Sequence, residues 1–80
     1  MRIIGEIPDP RVKITLFHWN NRYLIKLEWG LFEQTFKIQE FDLSAEEDLK
    51  KIVSDSFITS ALNRFTEMAS ELTAALEKMD

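Results

Sequence analysis

Hydrophobic and polar positions alternate along the first half of the chain and recur every three or four residues along the second. Val12, Ile14 and Leu16 fall on one face of a strand, with Lys13, Thr15 and Phe17 on the other. After Asn20 and Asn21 the alternation resumes, setting Tyr23, Ile25, Leu27 and Trp29 against Leu24, Lys26 and Glu28. Two adjacent asparagines suit a two-residue type I′ turn, because asparagine tolerates the positive φ that both central positions require. Such a turn pairs Leu16 with Ile25, Ile14 with Leu27, Val12 with Trp29 and His18 with Tyr23 on one face. On the other it pairs Lys13 with Glu28 and Phe17 with Leu24. Gly30 marks a second turn into LFEQTFKI, whose Phe32, Phe36 and Ile38 reach the core face only through an even-length loop. A Gly30-Leu31 turn meets that condition but sets Glu28 opposite Glu33. Pro8 and Pro10 each fix their own φ and disfavour helix in the preceding residue, so residues 1–10 read as an extended N-terminal arm. The expectation is a three-stranded antiparallel meander over residues 11–38.

The helical period takes over at residue 44. Ser44 with Glu47 three residues on has the spacing of a capping box, and Leu49, Ile52 and Val53 form the apolar stripe of a short helix. Ser54, Asp55 and Ser56 offer a fresh N-cap, which breaks the helix there; without Gly or Pro, one long helix over residues 44–79 stays open. Ile58, Leu62, Phe65, Ala69, Leu72, Leu76 and Met79 then repeat at spacings of four and three, an apolar seam. The reading is one α+β domain over residues 1–80, a β-meander followed by a short helix and a long C-terminal helix packed on one sheet face. A helix from about Phe57 to Met79 extends about 34 Å, whereas eight-residue strands reach only about 26 Å. Its distal Leu72, Leu76 and Met79 should therefore outrun the sheet and form a dimer seam.

Size sharpens that expectation. A chain of 80 residues buries only about 60% of the surface its unfolded form exposes, and with no cysteine it has no disulfide to compensate. A second copy would add core, and most soluble oligomers are closed and twofold, so a homodimer is expected. With 45% hydrophobic and 30% charged residues and no apolar run near the roughly 20 residues that span a bilayer, no membrane role is read. MRIIGEIPDP lacks the apolar segment of a signal peptide, so a cytoplasmic location is expected.

Chemistry is sparse. His18 is the sole histidine, and its expected neighbours are Tyr23 and strand backbone, without the orienting carboxylate and nucleophile that histidine catalysis needs. Glu46, Glu47 and Asp48 are consecutive, which spreads them around a helix and prevents convergence on a metal. The two glycines stand far apart, at positions 5 and 30, so no phosphate-cradling loop exists. No catalytic, metal or cofactor-binding residue is assigned, no cofactor is expected, and an enzyme is the least favoured class.

Charge divides unevenly: residues 1–38 carry six basic and four acidic side chains, residues 39–80 four basic and ten acidic. Any polyanion site must therefore lie in the first half. There Lys13, Phe17, Trp19, Arg22, Leu24 and Lys26 share the sheet face away from the helices, interleaving cations and rings as single-strand nucleic-acid platforms do. Glu28 and Glu33 on that face oppose a polyanion. Cover by a second subunit, or by the arm with Ile3, Ile4 and Ile7, is the favoured alternative. Trp29, Tyr23, Phe32 and Phe36 are assigned to the core, Phe17 and Trp19 to a partner.

IGEIPDP, KITLFHWNNRYLIKLEWG and EQTFKI, spanning residues 3–38, resemble short bacterial conserved proteins of unassigned function. That resemblance implies a bacterial cytoplasmic protein and no activity. In architecture alone, strands followed by helix with an aromatic sheet face are similar to the Whirly and PUR single-strand DNA-binding families, whose residue motifs are not present here. The leading expectation is a small non-enzymatic interaction protein acting as a homodimer, with single-stranded nucleic-acid binding as the alternative.

Overall fold

The computed structural model describes residues 1–79. Four antiparallel strands, β1 (Arg2–Ile7), β2 (Lys13–Trp19), β3 (Arg22–Trp29) and β4 (Phe32–Gln39), lie in chain order across one sheet. A short 3-10 turn at Glu40–Asp42 leads to helix α1 (Asp48–Ile52) and then to the 23-residue helix α2 (Asp55–Glu77).

The central hairpin follows from its turn. Asn20 and Asn21 both have positive φ, 56° and 62°, and the register sets Leu16 opposite Ile25, Ile14 opposite Leu27, Phe17 opposite Leu24 and Lys13 opposite Glu28, as the pattern requires. At the second turn only Gly30 is left-handed (φ 60°), the signature of a type II′ turn with glycine at its first central position. The two-residue loop keeps Phe32, Phe36 and Ile38 facing the helices and sets Glu28 opposite Glu33. Lys26 resolves that like-charge pair, its Nζ lying 3.8 Å from a carboxylate oxygen of each.

The sheet has four strands where three were expected, because the N-terminal segment is an edge strand and not an arm. Arg2–Ile7 pairs with β2, Ile7 opposite Ile14 and Ile3 opposite Phe17, with a bulge between Ile3 and Gly5. The extra residue turns Ile4 and Ile7 toward the core while Ile3 stays on the outer face, a phase change that hides the strand's alternation.

The core lies between the inner sheet face and the helices. Val12, Ile14, Leu16, Tyr23, Ile25 and Leu27 meet Leu49, Val53, Ile58, Ala61 and Phe65 there. The helical break falls where expected, with Ser54 Oγ accepting from Phe57 N–H at 3.2 Å. The expected Ser44–Glu47 capping box does not form. Instead the Asp48 carboxylate accepts from the backbone N–H groups of Ser44 and Ala45, at 3.1 and 3.2 Å, and these bonds hold its pKa below the usual carboxylate value. Gln34 interrupts the apolar row of β4 and clamps α2: its Nε2 donates to the Ala61 carbonyl at 2.9 Å while Arg64 Nε donates to its Oε1 at 2.9 Å.

Trp29 departs from its assignment to the core. It sits at the rim, 36% exposed, stacked on Phe32 with ring centroids 6.2 Å apart and tilted against Phe65 at 5.7 Å.

Candidate functional site

Two surfaces stand out, and the topology puts them on opposite sides of the sheet layer. The first is the outer face. Each strand contributes alternate residues to it: Ile3 from β1, Phe17 and Trp19 from β2, Leu24 from β3, so that Ile3, Phe17 and Leu24 form one row across three strands. Both helices pack on the inner face, and the N-terminal segment lies beside the outer face as a strand; it does not cover it. Leu24 and Thr15 are nonetheless buried, shielded by side chains of flanking strands, whereas Ile3 (65%) and Trp19 (44%) are exposed.

Cations border this row. The predicted set Lys13, Phe17, Trp19, Arg22, Leu24 and Lys26 does share the face, but it is not uniformly available. Lys26 is held between Glu28 and Glu33, while Lys13, Arg22 and Lys37, which the alternation also places on this face, have no salt bridge among the described residues. Lys37 stands directly opposite Leu24. Ile3 is the member that periodicity missed, and the signal for it was the RIIGEI run itself, whose two halves are out of phase around the bulge.

The second surface is the distal end of α2. Asp55 at its start lies 3.3 Å from Arg11 beside the β1–β2 connection, Ala61 and Arg64 are bonded to Gln34 on β4, and Phe65 reaches Trp29 at the β3–β4 turn. The helix thus crosses the sheet within its first eleven residues or so and runs beyond it. Met68 and Ala69 are half-buried, and every residue from Ser70 to Met79 is exposed, including Leu72 (48%), Leu76 (57%) and Met79 (73%). The molecule measures 50 × 26 × 18 Å, and this overhang contributes to its long axis.

Titratable groups gather at the end of the inner face near the first turn. His18 Nε2 lies 3.4 Å from Glu40 Oε2, its ring tilted on Tyr23 at 5.0 Å, and Arg2 reaches Glu46 at 3.3 Å. Burial raises the Tyr23 pKa, with Glu40 and Glu46 adding to it. The orienting carboxylate that sequence reasoning did not find for His18 is therefore Glu40, brought near by the 3-10 turn whose Glu40 N–H bonds the Asn21 carbonyl at 3.0 Å. Both partners are part-exposed, and among the described residues no hydroxyl or second carboxylate is bonded to the imidazole. An open groove of about 430 Å³ lies at the other end, between Ile7, Pro8, Val12 and Trp29, with Arg11 held by Asp9 at 3.0 Å. No group of three or more His, Asp or Glu able to hold a metal occurs among the described residues, and no helix there is long and apolar enough to cross a membrane.

Comparison with protein-family models, with curated proteins and with solved structures returned no match. The functional reading therefore rests on geometry.

Proposed function

We propose that this protein is a small non-enzymatic interaction module that acts as a homodimer in the cytoplasm. The observation that carries the reading is the exposure, on one small chain, of a helix end bearing Leu72, Leu76 and Met79 together with a sheet face bearing exposed Ile3 and Trp19 beside half-buried Phe17. Apolar side chains left exposed in two such clusters mark interaction surfaces. Burial of three side chains such as Leu72, Leu76 and Met79 is worth on the order of 1.5 to 3 kcal/mol each before ordering costs, enough to matter to a domain of this size. Light scattering at micromolar concentration tests the reading, since a 9.4 kDa monomer and its dimer are well resolved. A dimeric mass is expected; a monomeric mass with rapid hydrogen exchange beyond Leu72 refutes it.

A second reading, single-stranded nucleic-acid binding, is favoured by one observation: Lys13, Arg22 and Lys37 have no salt bridge among the described residues and flank Phe17, Trp19 and Leu24. Titration with labelled oligonucleotides at low and moderate salt separates the two. Micromolar, salt-sensitive binding supports the second reading.

A further inference from the structure

We propose that the two exposed surfaces are each other's partners across a twofold axis: the distal end of α2 of one copy seats on the outer sheet face of the other, reciprocally. The inference rests on the homodimer reading and names its geometry. Leu72 and Leu76 continue, at spacings of seven and four, the stripe that carries Phe65 into the core. They therefore point into the layer occupied by the chain's own sheet, but beyond the corner where Trp29 and Phe32 end it. What fills that layer is another sheet. The inner face of a second copy is already occupied by its own helices, which leaves its outer face.

A twofold axis lying in the sheet layer satisfies both demands at once. It turns the second copy over, so that its outer face meets the first copy's helix end while its own helix end passes beneath the first copy's outer face. The contact is made twice, as a closed isologous pair requires. Charge agrees with this pairing and disfavours the alternative of two helix ends meeting. Residues 67–79 carry three acidic side chains and one basic, so two such ends repel. Around the apolar row of the outer face, Lys13, Arg22 and Lys37 have no salt bridge among the described residues. The same face also carries Glu6, Glu28 and Glu33, two of them held by Lys26, and its four cations, Lys13, Arg22, Lys26 and Lys37, outnumber them by one, so the acidic helix end is better matched to the Lys37 and Arg22 side of this face than to another helix end.

The absence of cysteine makes the test direct. Two single variants, Lys37→Cys on the outer face and Leu76→Cys on the helix end, are mixed in equal amounts and oxidised gently, and the disulfide-linked peptides are identified by mass spectrometry. Both positions are exposed, and Thr35→Cys is a second outer-face attachment should Lys37→Cys perturb the sheet. The expected result is a dimeric mass with the mixed 37–76 disulfide at least tenfold above either symmetric product. A dimeric mass with mainly 76–76 or mainly 37–37 disulfides overturns this arrangement and leaves the homodimer reading intact. A monomeric mass overturns both. Charge reversal by Arg22→Glu with Lys37→Glu should weaken the dimer at least tenfold at low salt; an unchanged dissociation constant counts against the sheet face as the seat.

Discussion

Phe65→Ala removes the side chain on which the two-layer packing turns. Phe65 is fully buried, comes from the middle of α2, and touches the Trp29 ring at 5.7 Å. Truncating a buried phenylalanine costs about 3 to 5 kcal/mol, the transfer term plus a cavity term that shrinks if neighbours collapse into the space. Here the neighbour best placed to collapse is Trp29, which is part-exposed and stacks on Phe32 with centroids 6.2 Å apart. The expected loss is therefore at the lower end, about 3 kcal/mol, and it includes roughly 0.5 to 1.5 kcal/mol for the ring pair. At 0.05 to 0.15 kcal/mol per residue a chain this long has about 4 to 12 kcal/mol of stability, so the variant keeps about 1 to 9 kcal/mol and still folds, marginally at the low end of that range. Urea denaturation followed by circular dichroism at fixed protein concentration measures it. With a slope of about 1 kcal/mol per molar, the midpoint should fall by about 3 M. Leu76→Ala, far from the core, is the control and should leave the dilute, monomeric melt within about 0.5 kcal/mol of the parent. A Phe65→Ala shift under about 1 M, or a Leu76→Ala shift exceeding it, refutes the assignment of the fulcrum.

Further expectations follow from single contacts. Trp29→Ala should cost about 1.5 to 3 kcal/mol by urea melt, less than a fully buried tryptophan, while Trp19→Ala should leave the fold intact and weaken association measured by light scattering. Gln34→Leu should destabilise by about 1 to 3 kcal/mol, and a double-mutant cycle with Arg64→Ala should show coupling; additive losses would refute the clamp. Asn21→Gly should raise stability by up to about 1 kcal/mol, because its φ of 62° strains any residue with a Cβ, and Asn21→Val should lower it. The Asp48 carboxyl, accepting from the Ala45 and Ser44 N–H groups, has a folded pKa below its unfolded value of 3.8, so its contribution is complete above that pH and is lost as pH falls through the folded value. Urea midpoints of the parent should drop on acidification from pH 5 to pH 2 by more than those of Asp48→Asn; equal drops would discount the cap.

Much of the architecture was legible along the chain because it is local. The Asn20-Asn21 turn, the register of β2 with β3, the two-residue Gly30-Leu31 loop and the helical break at Ser54 depend on neighbouring residues and a period of two, and each appears as the pattern requires. The overhang of Leu72, Leu76 and Met79 was also readable, since helix and strand lengths are set by rise per residue. Tertiary structure decided the rest. The bulge at Ile3–Gly5 shifts the alternation of β1 by one residue, so its strand character emerges only from pairing with β2, and with it Ile3's place on the outer face. Trp29 lies on the expected face but at its rim, because the path of α2 over the sheet, not the parity of a position, determines which side chains are covered. His18 meets Glu40 only because the 3-10 turn folds back on the first hairpin, a contact between residues 22 positions apart that no periodicity encodes.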